Sequence, residues 1–160
     1  MLVAQTTVEA SYDKSGSIAF RRLAGYIFGK NTKKQSIAMT APVYQESTSE
    51  KIAMTAPVLQ EKTGQQWTMT FVMPLEYKRE TLPQPVDPLV IIKEIPGHKL
   101  ASLRYTGSLS EERFAAKANV LKAWLKEKNY QALSEPRLAA YDPPWTIWFL
   151  RRNEVHADIE

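Results

Sequence analysis

The chain has 160 residues, no cysteine and only two histidines. Without cysteine it has no disulfides, thiolate nucleophile, zinc–thiolate site, iron–sulfur cluster or prosthetic group attached through thioethers. His98 and His156 lie far apart in sequence, so no histidine pair has the spacing of a metal site. We therefore expect no metal site built from cysteine or histidine side chains.

Long apolar runs are also missing, since no segment approaches the ~18 residues that span a bilayer. The first residues lack the basic and apolar regions of a signal peptide, so we expect a cytoplasmic protein without a membrane span. A hydrophobic content of 44% and a charged content of 24% are typical of one globular domain over residues 1–160. The net charge of +4 is small and no groove-reading motif accompanies it, so we expect no nucleic-acid partner. The oligomeric state is unknown from the sequence, and a monomer is favoured.

Catalytic motifs are equally scarce. The sequence has no G-x-S-x-G, no phosphate-binding glycine loop and no H-E-x-x-H. Asp142 precedes two prolines and suits a turn, while Glu154 follows Arg151 and Arg152 and suits an ion pair on the last strand. We therefore assign no catalytic residue, and the sequence favours a protein that is not an enzyme without deciding the matter.

The most distinctive feature that is present is a heptapeptide, Ile-Ala-Met-Thr-Ala-Pro-Val, which occurs at Ile37–Val43 and again at Ile52–Val58. Its alternating side chains suit a strand, and the proline near its end suits an edge or a fraying terminus. The polar stretch Glu46–Glu50 separates the copies. We predict that the two copies form an antiparallel hairpin.

The rest of the chain predicts two helices, at 17–28 and 110–128, with a turn at 13–17 before the first. Further strands are predicted at 2–10, 67–73, 89–95, 99–106, 137–141 and 146–152. A proline-rich connection at 82–88 divides the chain into pseudo-halves of about 1–80 and 89–160. Strands that follow strands favour an α+β fold with a curved, mostly antiparallel sheet and two helices.

Several of these segments together resemble the SOUL/heme-binding protein family, in the family's order and over nearly the whole chain. They are the repeated heptapeptide, Phe20–Leu23, Tyr26–Gly29, Phe71–Pro74, Leu82–Pro83, Tyr141–Pro144 and Arg151–Val155. The resemblance implies a distorted antiparallel β-barrel flanked by two helices, shared with GyrI-type effector-binding domains. The tandem heptapeptide is similar to bacterial members, and the resemblance begins at Leu2, after the strand with which the family usually begins.

The resemblance further implies a non-covalent heme or related tetrapyrrole, placed against the first helix and a loop near the last strands. Carried over by motif, the contact residues are Phe20, Leu23 and Ala24 on the helix and Trp145 in the loop. The residues themselves add Ile27 to an apolar stripe, and Arg21 and Lys30 as cations for the propionates. Packing of the same stripe on the sheet is the alternative. Where animal members carry basic helix residues, this chain has Ser17 and Gly25.

Three functions follow from this reasoning. The first is reversible tetrapyrrole binding for buffering, delivery or sensing, without strong axial ligation because histidine is so scarce. The second is a GyrI-like module that binds other apolar small molecules. The third is an enzyme that acts on heme or a related pigment.

Overall fold

The computed structural model describes residues 1–32, 49–143 and 145–160, apart from the side chain of Thr63. This part of the chain contains two helices and nine strands. In order they are β1 (Leu2–Val8), α1 (Tyr12–Ile27), β2 (Asn31–Thr32), β3 (Val58–Thr63), β4 (Gln66–Val72), β5 (Gln84–Pro85), β6 (Ile91–Glu94), β7 (Lys99–Thr106), α2 (Glu111–Glu127), β8 (Arg137–Ala140) and β9 (Arg152–Ile159). A single 3₁₀ turn, Trp148–Leu150, precedes β9.

Seven strands form one antiparallel sheet in the order β6-β1-β4-β3-β8-β9-β7, while β2 and β5 pair separately. The edge strands β6 and β7 are consecutive in sequence, and only four residues, Ile95–His98, join them. Such a link spans at most about 18 Å, whereas a flat seven-stranded sheet is about 29 Å wide. The sheet must therefore curve until its edges approach each other. Because β6 and β7 do not pair in the described residues, it is a curved open sheet.

The two halves of the molecule repeat one topology, as the sequence predicted. In β1–α1–β3–β4 the first strand pairs with β4 and so does β3. In β7–α2–β8–β9 the first strand pairs with β9 and so does β8. The halves join where β3 pairs with β8, and Leu59 lies opposite Ala139 there. The predicted α+β fold with two similar halves is confirmed.

Helix α1 begins at Tyr12, five residues before the predicted start, so the turn predicted at 13–17 is wrong. The serines that indicated a turn are accommodated in the helix because their hydroxyls bond to its backbone. Ser15 donates to the Tyr12 carbonyl at 2.8 Å and Ser17 to that of Asp13 at 3.1 Å. The helix ends before Gly29, whose φ of +121° favours glycine.

Helix α2 matches its prediction to within a residue at each end. Ser110 caps it by accepting a hydrogen bond from the Arg113 backbone N–H at 3.3 Å. Its buried face, Leu121 and Leu125 with Ala118, packs on Leu138 and Val155 of the second half. The face opposite the sheet is exposed, so α2 is an ordinary amphipathic surface helix.

The predicted hairpin of two heptapeptides is not found in the described residues. The first copy, 37–43, lies outside them, and the second is not a strand except at Val58, where β3 begins. Ile52 is buried and its N–H donates to the Ile27 carbonyl at 2.8 Å. The start of this copy therefore bonds to the end of α1, and its last residue, Val58, pairs with β4 and β8.

The strand predicted at 146–152 is also wrong. Residues Trp148–Leu150 form a 3₁₀ turn, and β9 begins only at Arg152. The Arg152 N–H donates to the Asp142 carboxylate at 2.5 Å, which joins the two ends of this loop and prevents an earlier start of the strand. Trp148, Phe149 and Leu150 are each more than half exposed.

Candidate ligand-binding site

A cavity of ≈ 370 Å³ lies between the first half of α1 and the junction of β3 with β8. It thus lies where the two halves of the sheet meet. Its lining residues are Tyr12, Asp13, Gly16, Ser17, Phe20, Val58, Gln60, Met69, Leu109, Leu138, Ala140, Asp142 and Arg151.

Helix and strand periodicity explain why these side chains converge. On α1, Gly16 and Phe20 are one turn apart, as are Tyr12 and Gly16, so they share one side of the helix. On the sheet, Val58 and Gln60 alternate along β3 and lie opposite Ala140 and Leu138 of β8. One helix face and one sheet face therefore form the two walls of the cavity.

The wall is mainly apolar. Phe20 is half-buried and meets Phe71 edge to face, with ring centroids 5.6 Å apart. Met69 from β4 and Leu138 from β8 are buried on the sheet side. An aromatic ring in this position can pack on a flat apolar ligand while its far edge stays in the protein core.

Two polar groups interrupt the apolar wall. The Tyr12 hydroxyl and the Gln60 Nε2 have no hydrogen-bond partner among the described residues. Both residues are only 8% exposed, so they are nine-tenths buried. Burial, together with nearby Tyr105, Asp13 and Glu111, raises the pKa of Tyr12, so its hydroxyl keeps its proton at neutral pH.

Three charged residues lie at the rim. Asp13 and Asp142 contribute carboxylates, and Asp142 accepts from the Arg152 N–H. Arg151 contributes the guanidinium, whose Nε donates to the Thr146 carbonyl at 2.8 Å. The charge facing the cavity from its lining residues is therefore mixed, with two carboxylates against one guanidinium.

The predicted stripe on α1 divides between the cavity and the core. Phe20 lines the cavity, and Ala24 lies one turn further along the same side and is half-buried. Leu23 and Ile27 are 0% exposed and belong to the core between α1 and the sheet. The predicted stripe therefore has two roles: Leu23 and Ile27 pack in the core, and Phe20 lies in the wall of the cavity.

The predicted cations and the aromatic loop lie outside the lining of the cavity. Arg21 is exposed one turn beyond Ser17, whereas Lys30 is exposed past the helix end, where its side chain packs near Gly25. Trp145 is 82% exposed and begins the loop that ends at the lining residue Arg151. The structure therefore brings Phe20 to the cavity and leaves Trp145 and Arg21 as neighbouring surface.

Neither histidine lines the cavity, and both are held by carboxylates. The His98 Nε2 lies 3.2 Å from an Asp158 carboxylate oxygen, and the His156 Nε2 lies 2.9 Å from one of Glu154. Among the lining residues, Tyr12 and Met69 carry side chains of the types known as axial iron ligands. No group of three or more metal-ligating side chains occurs in the described ranges.

Glu154 lies at the centre of a buried network outside the cavity. Its carboxylate accepts from the Arg152 guanidinium at 2.6 Å, from the Ser102 hydroxyl at 2.8 Å and from the Tyr141 hydroxyl at 3.2 Å. Burial alone would raise the pKa of Glu154, but hydrogen bonds from His156, Arg152 and Ser102 outweigh it and lower this pKa to about 2. The network fits the predicted ion pair that stabilises the last strand.

Sequence reasoning missed most of the cavity. Tyr12 was placed in the segment before the helix, and Gln60 lay beyond the second heptapeptide, where no strand was predicted. Leu138 was predicted to be on a strand, but nothing in the sequence placed that strand beside β3. The signal that existed was local, since Tyr12, Gly16 and Phe20 have helical spacing.

Comparison with known proteins identifies the chain's relatives. A family model described as SOUL heme-binding protein matches residues 1–50 and 44–158. The two matches overlap between the heptapeptide copies, as expected if one family motif occurs twice. No curated protein matches the sequence.

One solved structure with a similar fold is a hydrolase from Listeria innocua. It has a TM-score of 0.59 and is 9% identical, with 100% of this chain and 87% of that chain covered. At this identity the likeness shows a shared fold alone. In the parts of the chain that are described, no helix is long and apolar enough to cross a membrane.

Proposed function

The chain belongs to the SOUL heme-binding protein family, and from that premise we propose that it binds heme or a related tetrapyrrole reversibly at the cavity beside α1. The observation that carries the proposal is the apolar wall at Phe20, which lies on the helix where the family resemblance expects the ligand. The cavity volume of ≈ 370 Å³ lies within the range of small-molecule sites.

The lining fits one edge of a flat macrocycle. Phe20 offers a ring face or edge from the helix, and Met69 and Leu138 offer aliphatic surface from the sheet. The remainder of the macrocycle would extend toward the loop that begins at Trp145, whose exposed rings provide further apolar contact. Arg21, which is exposed on α1 next to Phe20, would pair with a propionate in solvent.

Binding without strong axial coordination follows from the lining. Both histidines are held by carboxylates away from the cavity. The Tyr12 hydroxyl retains its proton, which makes it a poor ligand for ferric iron, and the Met69 thioether is a weaker ligand than an imidazole. Affinity would come from apolar contact, so the ligand can exchange. Exchange suits a role in buffering, delivery or sensing.

Hydrolysis is not our proposal, although a solved structure of the same fold is described as a hydrolase. No histidine lines the cavity, and the Ser17 hydroxyl donates to the Asp13 backbone carbonyl. A nucleophile held by a general base is therefore not assembled among the lining residues. Binding of other apolar molecules at the same wall remains the alternative.

The proposal is tested by titrating the protein with hemin and recording the Soret band. We expect the band to shift and to saturate at one equivalent, and His98→Ala and His156→Gln to leave the bound spectrum unchanged. Loss of the bound spectrum in His98→Ala would place the iron on that histidine instead. A wild-type protein that leaves the hemin spectrum unaltered would contradict tetrapyrrole binding, and loss of the pigment on incubation would indicate an enzyme.

A further inference from the structure

We propose that the cavity selects tetrapyrroles that carry an uncharged carbonyl group, and that Tyr12 and Gln60 bind the oxygen of that group. This inference rests on the proposed function and adds the chemical class of the ligand. It uses two side chains that the apolar contact with a macrocycle leaves without a role.

The first argument is the unpaired state of two buried donors in one cavity. Tyr12 and Gln60 both line it, and the Tyr12 hydroxyl and the Gln60 Nε2 have no partner among the described residues. Buried polar side-chain atoms are nearly always hydrogen-bonded, because an unpaired one has lost its hydrogen bonds to water and gained none from the protein. A hydrogen-bond acceptor on the ligand, lying between the two donors, would give both of them a partner.

The second argument is their position on a common wall. A Cβ placed on Gly16 would lie 3.8 Å from both the Nε2 and the Oε1 of Gln60, so the carboxamide lies against the helix at this residue. Tyr12 lies one turn before Gly16 on the same helix. The Gln60 carboxamide therefore lies beside the helical turn that joins Tyr12 to Gly16.

The third argument is charge, which favours a neutral acceptor over a carboxylate. Both donors are uncharged, since the tyrosine keeps its proton. The lining carries two carboxylates, Asp13 and Asp142, and one guanidinium, Arg151, which already donates to a backbone carbonyl. A propionate drawn into the cavity would lose its hydration and meet a net negative lining. A ketone, formyl or lactam oxygen carries no net charge, so it has no ionic hydration to lose and is not repelled by the carboxylates.

A matched control comes from the second half of the molecule. The Tyr105 hydroxyl is also buried and also without a partner among the described residues, and its residue is 7% exposed. Tyr105 is not among the residues that line the cavity. Tyr105→Phe therefore makes the same chemical change as Tyr12→Phe at a nearby buried hydroxyl outside the lining, which tests whether the effect belongs to the lining residue.

The test compares two porphyrins that differ only in the groups at two ring positions. Mesoporphyrin has ethyl groups there and diacetyldeuteroporphyrin has acetyl groups of similar size, with identical propionates. We expect the wild-type protein to bind the diacetyl compound more tightly by about tenfold or more, the value of two neutral hydrogen bonds. Tyr12→Phe and Gln60→Met should each lower the ratio of the two Kd values, the double variant should bring it close to one, and Tyr105→Phe should preserve it.

The outcomes separate this inference from the proposed function. Equal Kd values for both porphyrins in the wild-type protein, or a ratio that survives in Tyr12→Phe and Gln60→Met, would overturn the carbonyl site and leave tetrapyrrole binding intact. A wild-type protein that binds neither porphyrin would overturn both. Thermal unfolding accompanies each titration, and because no hydrogen bond to the protein is lost, Tyr12→Phe should melt no lower than the wild type.

Discussion

The two halves of the molecule share one strand order but stabilise the sheet face opposite their helices in different ways. Leu59 of β3 and Ala139 of β8 lie opposite each other where the halves join. On the other neighbouring strand of each, Leu59 lies opposite Thr70 of β4 and Ala139 lies opposite Glu154 of β9. In the first half, Thr70 accepts from the Gln5 side-chain amide at 3.0 Å. At the equivalent position of the second half, Glu154 accepts from charged and neutral donors together.

The same topology therefore accommodates two kinds of buried polar contact, pairs of neutral side chains and a network around one carboxylate. The first half pairs neutral side chains across neighbouring strands, including Thr7 with Thr68 at 3.1 Å. The second half concentrates one carboxylate with Arg152, His156 and Ser102. Buried charge is stable only when it is fully paired, so the second half should be the more sensitive to substitution and to pH. The first half, by contrast, contributes the helix that lines the cavity.

The largest expected effect is that of Glu154→Ala. The change leaves His156 buried without its partner and removes acceptors from Arg152, Ser102 and Tyr141, so the free energy of unfolding should fall by about 3 kcal/mol. Chemical denaturation measures it. An unchanged stability together with lost hemin binding would move Glu154 from the structural network to the ligand site.

The second largest expected effect is the loss of stability of the second half in acid. The folded pKa of Glu154, about 2, lies below its ordinary value of 4.5, so the ionised carboxylate stabilises the fold above pH 4.5. This stabilisation is lost as the pH falls from 4.5 toward 2, and we expect about 2 kcal/mol to disappear between pH 5 and 2.5. Denaturation curves of the wild type and Glu154→Gln should converge over that window. Curves that stay parallel would show that another group carries the acid sensitivity.

The smallest expected effect is in the first half. Thr70→Val removes the hydroxyl that accepts from Gln5 at the position equivalent to Glu154. Because one neutral, partly buried hydrogen bond is lost, the free energy of unfolding should fall by about 1 kcal/mol and show no added pH dependence. A loss as large as that of Glu154→Ala would remove the distinction between the halves.

Local patterns predicted much of this fold. Strands β1, β4 and β7 and helix α2 follow from alternation, helical periodicity and the Ser110 cap, because these signals act over a few residues. The antiparallel arrangement follows from strands that succeed one another without helices. The errors lie where a long-range contact decides the conformation. Ile52 bonds to the end of α1, and Asp142 joins the two ends of the Trp148–Leu150 loop.

The cavity was predictable only on its helical side. Phe20 was identified because it belongs to an apolar helical stripe, but the same stripe contains Leu23, which the structure buries in the core. Hydrophobicity alone cannot separate these two positions, since burial depends on the angle at which the helix meets the sheet. Gln60 and Leu138 become neighbours only through the β3–β8 pairing. No pattern within either half encodes that pairing.

The central claim is that a tetrapyrrole binds against the Phe20 wall, and hemin titration of two phenylalanine variants tests it most directly. Phe20 lines the cavity, whereas Phe28 follows the same helix and is 61% exposed outside the lining. Phe20→Ala should raise the Kd for hemin about tenfold, the scale of one lost aromatic contact, and Phe28→Ala should leave it unchanged. A Kd that is unaffected by Phe20→Ala in a folded protein would contradict the account.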